Sequence, residues 1–510
     1  MRHGTLRGIA GLALLSLVAA VRPAMAAPLE HLKALAAQGA AVGVRVIDLN
    51  DGRTLAGMNA GVALTPASVS KLYTAAAALE QWGADYRFTT RVLYAGEIRD
   101  GELRGDLILR GAGDPGLTNA QMWTLAQRVR AAGITKVSGA VMVDQSLLGR
   151  VPCATEDRCN AKATSRDAYN APLSAAGFDY SNICLRVAPG PAAGTPAKLG
   201  FEPFELPMFG VRGNVHTLPA GAPTSVDVVR LTTDGRNWFY ARGGIAADAP
   251  ARCYYRSVSE PALYAGQALI AFLRQAGVAV KHSTARIVSV ADEQARPLAE
   301  VKGTTLGDQL RGMLVYSNNY MADLLALDLA RTTAEPPITM AKAGAWLTRY
   351  ARRIDAESPW PGARKGSPRL DSGSGLTADS RVSADDVVAL LAAAYRNYGD
   401  FPAFLGALTV PDQTPVNMLK GGPRIWATHV AVKTGSLSRP VSVFALAGYL
   451  RLNNGHWGAF AVIVNGTRQQ PHLALERSLQ AVRSDLVDIL RSNGDEPAAG
   501  QAGLRNGQPG

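Results

Sequence analysis

Basic residues outnumber acidic ones here, yet no run of five or six consecutive lysines and arginines occurs. The formal net charge of +12 therefore leaves no nucleic-acid-binding arm, and it reads as a solvated surface suited to anionic surroundings. Beyond Val21 there is no long apolar run, which excludes a bundle of membrane-spanning helices. The seven histidines are scattered, and neither H-E-x-x-H nor G-x-S-x-G is present, so zinc-protease and nucleophile-elbow readings fall away. Only four cysteines occur, without C-x-x-C spacing or a nearby histidine, and a zinc site is not expected. Gly111 to Gly116 formally matches G-x-G-x-x-G, but no convincing βαβ context surrounds it and it reads as a Gly/Pro turn. Neither a metal nor a cofactor is predicted. No internal repeat is visible.

At 510 residues with 47% hydrophobic content, the chain is long enough for more than one self-sufficient core. It begins with Arg2 and Arg7, an apolar run from Ile9 to Val21, and Ala24-Met25-Ala26, the signature of a signal peptide over residues 1–26 with a mature start at Ala27. The apolar run is short for a transmembrane anchor, and no cysteine at the cleavage site offers a lipid attachment point. Export to a periplasmic or otherwise extracytoplasmic compartment follows, and the cysteines suit its oxidising conditions. Cys153, Cys159, Cys184 and Cys253 permit three pairings, of which Cys153 with Cys159 and Cys184 with Cys253 is the simplest.

Ala41 to Leu49 reads as a strand, Asp51-Gly52 as a turn, and Thr54 to Met58 as its hairpin partner. Thr65 and Pro66 open an Ala/Leu-rich helix that runs to Trp82 and stops at Gly83. Short strands with glycine turns are expected from about Phe88 to Val143, and a Gly/Pro/Cys-rich stretch reaches about Cys253. Helical patterns resume at Pro261 to Ala276, Asn318 to Arg331 and Ala384 to Arg396. Three strands follow at His429 to Lys433, Val441 to Arg451 and Trp457 to Asn465, then an amphipathic helix from His472 to Arg491. That order predicts an α/β domain split in sequence, with one sheet assembled from both chain ends. Its parts are residues 27–85 and 261–493, a β-rich region of one or two subdomains is inserted over 86–260, and residues 494–510 form a disordered tail.

Ser68-Val69-Ser70-Lys71 lies at the start of the first helix, where a three-residue offset puts hydroxyl and amine on one face. A serine hydroxyl is a poor nucleophile until a neighbour takes its proton, and a lysine can do so if burial and a nearby cation lower its pKa. Ser317-Asn318-Asn319 stands just before a helix, and Lys433-Thr434-Gly435 ends a strand, where Gly435 would let a ligand approach the backbone. Each pattern alone is ordinary. Together S-x-x-K, S-x-N and K-T-G fall in order on helix start, loop and strand, the motif set of β-lactamases and penicillin-binding proteins.

The chain thereby resembles the class C low-molecular-mass penicillin-binding proteins, which are D-alanyl-D-alanine carboxypeptidases and endopeptidases. Gly105-Asp106-Leu107 through Gly113-Asp114-Pro115, Tyr169 to Ser174, and Asp371 to Leu376 followed by Arg381-Val382-Ser383 also look like that family's pattern. The resemblance implies a penicillin-recognising serine transferase/hydrolase fold, peptidoglycan stem peptides as substrate and β-lactams as covalent inhibitors. It implies that Ser68 attacks the carbonyl, Lys71 is the general base, Ser317 relays a proton to the leaving amine, and Asn319 binds the substrate backbone. Lys433 and Thr434 would bind the terminal carboxylate beside Gly435, and the N–H groups of Ser68 and Ser436 would form the oxyanion hole. Ser436 replaces the threonine common after K-T-G, a change of little consequence if its N–H does the work; Asn318 stands where aspartate is also common. Two other readings share these motifs: a β-lactamase, which needs rapid deacylation, and a catalytically idle wall-binding scaffold, which a lost motif residue would have favoured. The balance of carboxypeptidase and endopeptidase action and the oligomeric state stay open.

Overall fold

The strand Ala41–Asp48 is buried on both faces, with Val42, Val44 and Val46 on one and Ile47 on the other, as a strand between two packed layers must be. It pairs antiparallel with Trp457–Asn465 on one side and with Thr54–Met58 on the other. Val430–Leu437 and Val443–Arg451 complete a five-stranded sheet in which both chain ends meet, as the split-domain reading requires. The computed structural model describes residues 28–153, 155–288, 294–359, 367–415 and 417–492. The expected signal peptide over 1–26 and tail over 494–510 lie outside the described residues. No helix among the described residues is long and apolar enough to cross a membrane.

One face of the sheet is covered by the helices Glu30–Ala37 and Leu475–Ser492, through Leu32, Leu479 and Leu486. The other face meets a mostly helical layer built on Lys71–Trp82, Asn319–Arg331, Met340–Glu357 and Ala384–Arg396. Lys71–Trp82 is buried on nearly all sides from Lys71 to Leu79, so its run of alanines serves close packing. Gly83 ends it at φ 75°, a left-handed value that costs glycine nothing.

The inserted region is larger than the sequence suggests. Arg296–Lys302 pairs antiparallel with Thr89–Arg99, bringing Lys302 beside Thr89, so the chain leaves and re-enters the first domain at neighbouring points. The helix Pro261–Gln275, expected in the catalytic part, packs Tyr264, Ala265 and Leu269 into the same core as Leu107 and Val141. The boundary expected at residue 260 thus falls inside the inserted unit, whose seven-stranded sheet takes strands from both 89–144 and 279–302. A three-stranded and a four-stranded sheet occupy the stretch between. Within the segment expected to be short strands lies a helix, Asn119–Ala131, opened by a capping box of Thr118 and Gln121. Both disulfides adopt the simplest pairing, Cys153–Cys159 and Cys184–Cys253.

Candidate active site

Ser68 sits in a 3-10 turn, Ala67–Ser70, rather than in the α-helix itself, which begins at Lys71. The preceding Ala67 has φ 48°, a conformation that costs a non-glycine residue about 1–2 kcal/mol and must be held by its surroundings. Two glycines hold it. A side chain at Gly375 would lie 1.9 Å from Ala67 O, and one at Gly435 would lie 2.7 Å from Pro66 O and 3.0 Å from Ser68 N. Gly435 therefore lets the strand approach the Ser68 turn, whereas the sequence pointed to approach by a ligand.

Lys71 is fully buried. Its Nζ lies 2.9 Å from Ser68 Oγ, 2.7 Å from Asn319 Oδ1 and 2.8 Å from the Ser374 carbonyl. Burial lowers its pKa well below the ordinary lysine value, Lys433 and Arg158 lower it further, and Asp323 partly restores it. As an ammonium Lys71 donates to all three oxygens. Once neutral, its two N–H groups can stay on the amide oxygen and the carbonyl, which can only accept, and its lone pair can take the proton of the one partner able to donate, the Ser68 hydroxyl.

Lys433 lies inside the strand Val430–Leu437, which continues past the K-T-G to Leu437 and so extends beyond the expected end. Its Nζ contacts Ser317 Oγ at 3.0 Å and the Thr434 carbonyl at 2.7 Å, and burial pushes its pKa down to about 7. Ser317 itself is left-handed, φ 54°. Asn318 caps the Asn319–Arg331 helix by accepting from Met321 N, which is what the middle residue of S-x-N does here. Thr434 is half-buried and Ser436 exposed, and the alternation puts their side chains on one face of an edge strand. All eight sequence-predicted residues, Ser68, Lys71, Ser317, Asn319, Lys433, Thr434, Gly435 and Ser436, thus lie on three adjoining elements.

Three groups outside the S-x-x-K, S-x-N and K-T-G motifs complete the arrangement. Asp323 accepts from Arg158 at 2.6 Å and from Ser374 N at 2.7 Å, and Ser374 O in turn accepts from Lys71. Arg158, next to the Cys153–Cys159 bridge, also reaches Asn319 O and Ala171 O. Asp323 carries a sequence signal: it stands one turn after Asn319 on a helix buried almost throughout, where a carboxylate needs a cation. Arg158 carries none, being 165 residues from its partner. Replacing Arg158 by methionine should strand Asp323 and destabilise the fold by about 3–5 kcal/mol. Arg158→Met combined with Asp323→Asn, which keeps an acceptor for Ser374 N, should lose less. Urea unfolding of the three proteins checks this, and equal losses for single and double variants would contradict it.

This arrangement of sheet, helical layer and inserted sheets is that of penicillin-recognising proteins: the solved structure of penicillin binding protein 4 from Haemophilus influenzae superposes with a TM-score of 0.69, covering 89% of this chain and 97% of that one at 22% identity. The D-Ala-D-Ala carboxypeptidase 3 (S13) family model matches residues 25–486, and the chain belongs to that family. It is a serine-type D-Ala-D-Ala carboxypeptidase by that membership. A D-alanyl-D-alanine carboxypeptidase of Actinomadura sp. (strain R39) is 31% identical over 473 residues, 88% of this chain and 82% of the relative. The D-alanyl-D-alanine carboxypeptidase DacB of Haemophilus influenzae is 25% identical, over 87% and 91% of the two chains.

Proposed function

We propose that this enzyme is exported and cleaves the terminal or cross-linking D-alanyl bond of peptidoglycan stem peptides through an ester on Ser68. The observation that carries the reading is the position of the buried Lys71 amine, 2.9 Å from Ser68 Oγ. As Oγ bonds to the carbonyl carbon its proton passes to Lys71 Nζ, and the developing oxyanion is met by the N–H groups of Ser68 and Ser436. The proton then moves through Ser317 Oγ to the leaving amine as the C–N bond breaks. Lys433 and Thr434 hold the carboxylate of the leaving residue, and Asn319 orients the acyl part. Water, deprotonated by Lys71, releases the acyl group and restores Ser68.

Penicillin acylates the same serine in this account. A novel β-lactam is bound in a solved structure of the Haemophilus influenzae protein, which is 23% identical to this chain. The paired cysteines support an oxidising, extracytoplasmic location. Digestion of purified pentapeptide-rich, cross-linked peptidoglycan, followed by mass spectrometry, should yield free D-Ala, and conversion of dimers to monomers in the same digest would mark endopeptidase action. If neither product forms, this function is wrong.

A further inference from the structure

Beside the S-x-N loop a cavity of about 750 Å³ opens between Ser317–Tyr320 and the inserted region. Five tyrosines line it, Tyr169, Tyr180, Tyr255, Tyr316 and Tyr320, and three of these, Tyr169, Tyr255 and Tyr316, are among the exposed large side chains. Exposed rings gathered around one concavity present apolar faces to a ligand, not to the core. One wall is backbone of high cost: Asp179, Tyr180 and Ser181, none of them glycine, are all left-handed at φ 50°, 56° and 55°. Ser317 on the opposite wall is left-handed as well. Such conformations gather where a site needs them.

The polar groups of this cavity both donate and accept, through tyrosine and serine hydroxyls, asparagine amides and two carboxylates. Asn119 donates to Asp179 Oδ2 at 2.9 Å and Asn182 donates to Tyr180 O at 2.9 Å, leaving Asn119 Oδ1 and Asn182 Oδ1 buried without partners. Both oxygens lie below the cavity surface and have no area open to a ligand. No lysine or arginine is among the lining residues, so an anion is not the expected guest. A strongly cationic guest is not favoured either. Glu202 is already paired with Arg186 at 2.9 Å, and Asp179 already accepts from Asn119. The space suits a ligand larger than a single aminoalkyl arm. Tyrosine faces, hydroxyl and amide groups, and carboxylates that already have partners describe a site for a neutral polyhydroxylated ring.

We infer that this cavity binds an N-acetylated amino sugar of the glycan strand, whose hydroxyl and amide groups bond to the carboxylate, amide and hydroxyl groups of the lining while a ring face lies on Tyr255. The inference rests on the peptidoglycan reading above and deepens it: the enzyme would hold polymer or glycan-bearing fragments in preference to free peptides. Tyr255 lies on the strand Arg252–Ser257, and half of its surface is exposed, so its ring can be removed with little disturbance of the core.

The test compares hydrolysis of a cross-linked disaccharide-peptide dimer with that of the same peptide dimer stripped of sugar. The full-length protein should prefer the glycan-bearing dimer by about tenfold in kcat/KM, the size expected of one aromatic contact with a hydrogen bond. Tyr255→Ala should lose most of that preference and Tyr255→Trp should keep it, with penicillin acylation showing that each variant is folded. Equal rates on both dimers, or an undiminished preference in Tyr255→Ala, overturn the sugar site while leaving the peptidase reading intact. Equal rates on both that fall on acetylating the free amino groups would assign the cavity to a diamino side chain instead. Absence of hydrolysis of either dimer by penicillin-reactive protein would overturn the peptidase reading itself, and this one with it.

Discussion

Replacing Lys71 by alanine should lower acylation by penicillin and by every peptide substrate by a factor on the order of 10⁴, because components of a nucleophilic unit fail together. Among the described residues, Lys71 is the one side chain that hydrogen-bonds Ser68 Oγ, and its remaining contacts go to groups that cannot accept a proton usefully, an amide oxygen and a carbonyl. Removing it takes away the base and leaves Asn319 Oδ1 and Ser374 O without their donor. The loss should be the same for substrates with and without a terminal carboxylate, since the proton comes from the enzyme's own serine. Stopped-flow acylation with a chromogenic cephalosporin and with a carboxylate-free ester checks it. A loss confined to one of the two would mean that Lys71 binds substrate and does not activate Ser68.

Lys433→Ala should divide the same pair of substrates. A buried cation facing a carboxylate supports a charge-assisted bond, and its removal should cost about 10²- to 10³-fold in kcat/KM for carboxylate-bearing peptides and penicillins. The carboxylate-free ester should lose at most about tenfold, the part due to Ser317 and to the changed field. The pH profiles should change with it. Lys433 titrates near 7, so in the unliganded enzyme its charge is present below that pH and lost above it, and kcat/KM for carboxylate substrates should fall as pH rises through about 7. The acid limb has the opposite sign, for Lys71 must be neutral and activity falls as it gains a proton. Because Lys433 helps to hold the Lys71 pKa down, Lys433→Ala should remove the alkaline limb and also shift the acid limb upward. Unchanged limbs, or equal losses on both substrates, would contradict the assigned role.

The parts of this site that are legible in the amino-acid sequence are the local ones. Ser68 and Lys71 meet because of a helical offset, Asn318 caps the helix it precedes, and Lys433 follows an apolar strand; each relation spans a few residues. The split sheet is legible for a related reason, since strand patterns near both ends leave few other partners. Arg158, Asp323 and the Ser374 carbonyl depend on contacts across 51 to 303 residues, which no local pattern encodes. The helix Asn119–Ala131 shows how neighbouring signals mislead. Met122, Leu125, Ala126 and Val129 have helical spacing and are all buried, but the Gly/Pro turn just before them suggests a continuing meander of short strands. The boundary expected at residue 260 falls inside the insertion because the strand that closes it, Arg296–Lys302, is recognisable only beside Thr89–Arg99.

Everything above depends on Ser68 being the acylated group. Purified mature protein incubated with benzylpenicillin, then examined by intact mass and by peptide mapping, tests that directly. The account predicts one adduct of the antibiotic's mass per chain, on the peptide containing Ser68, and none in a folded Ser68→Ala variant. An adduct on any other residue, or one retained by Ser68→Ala, would contradict it.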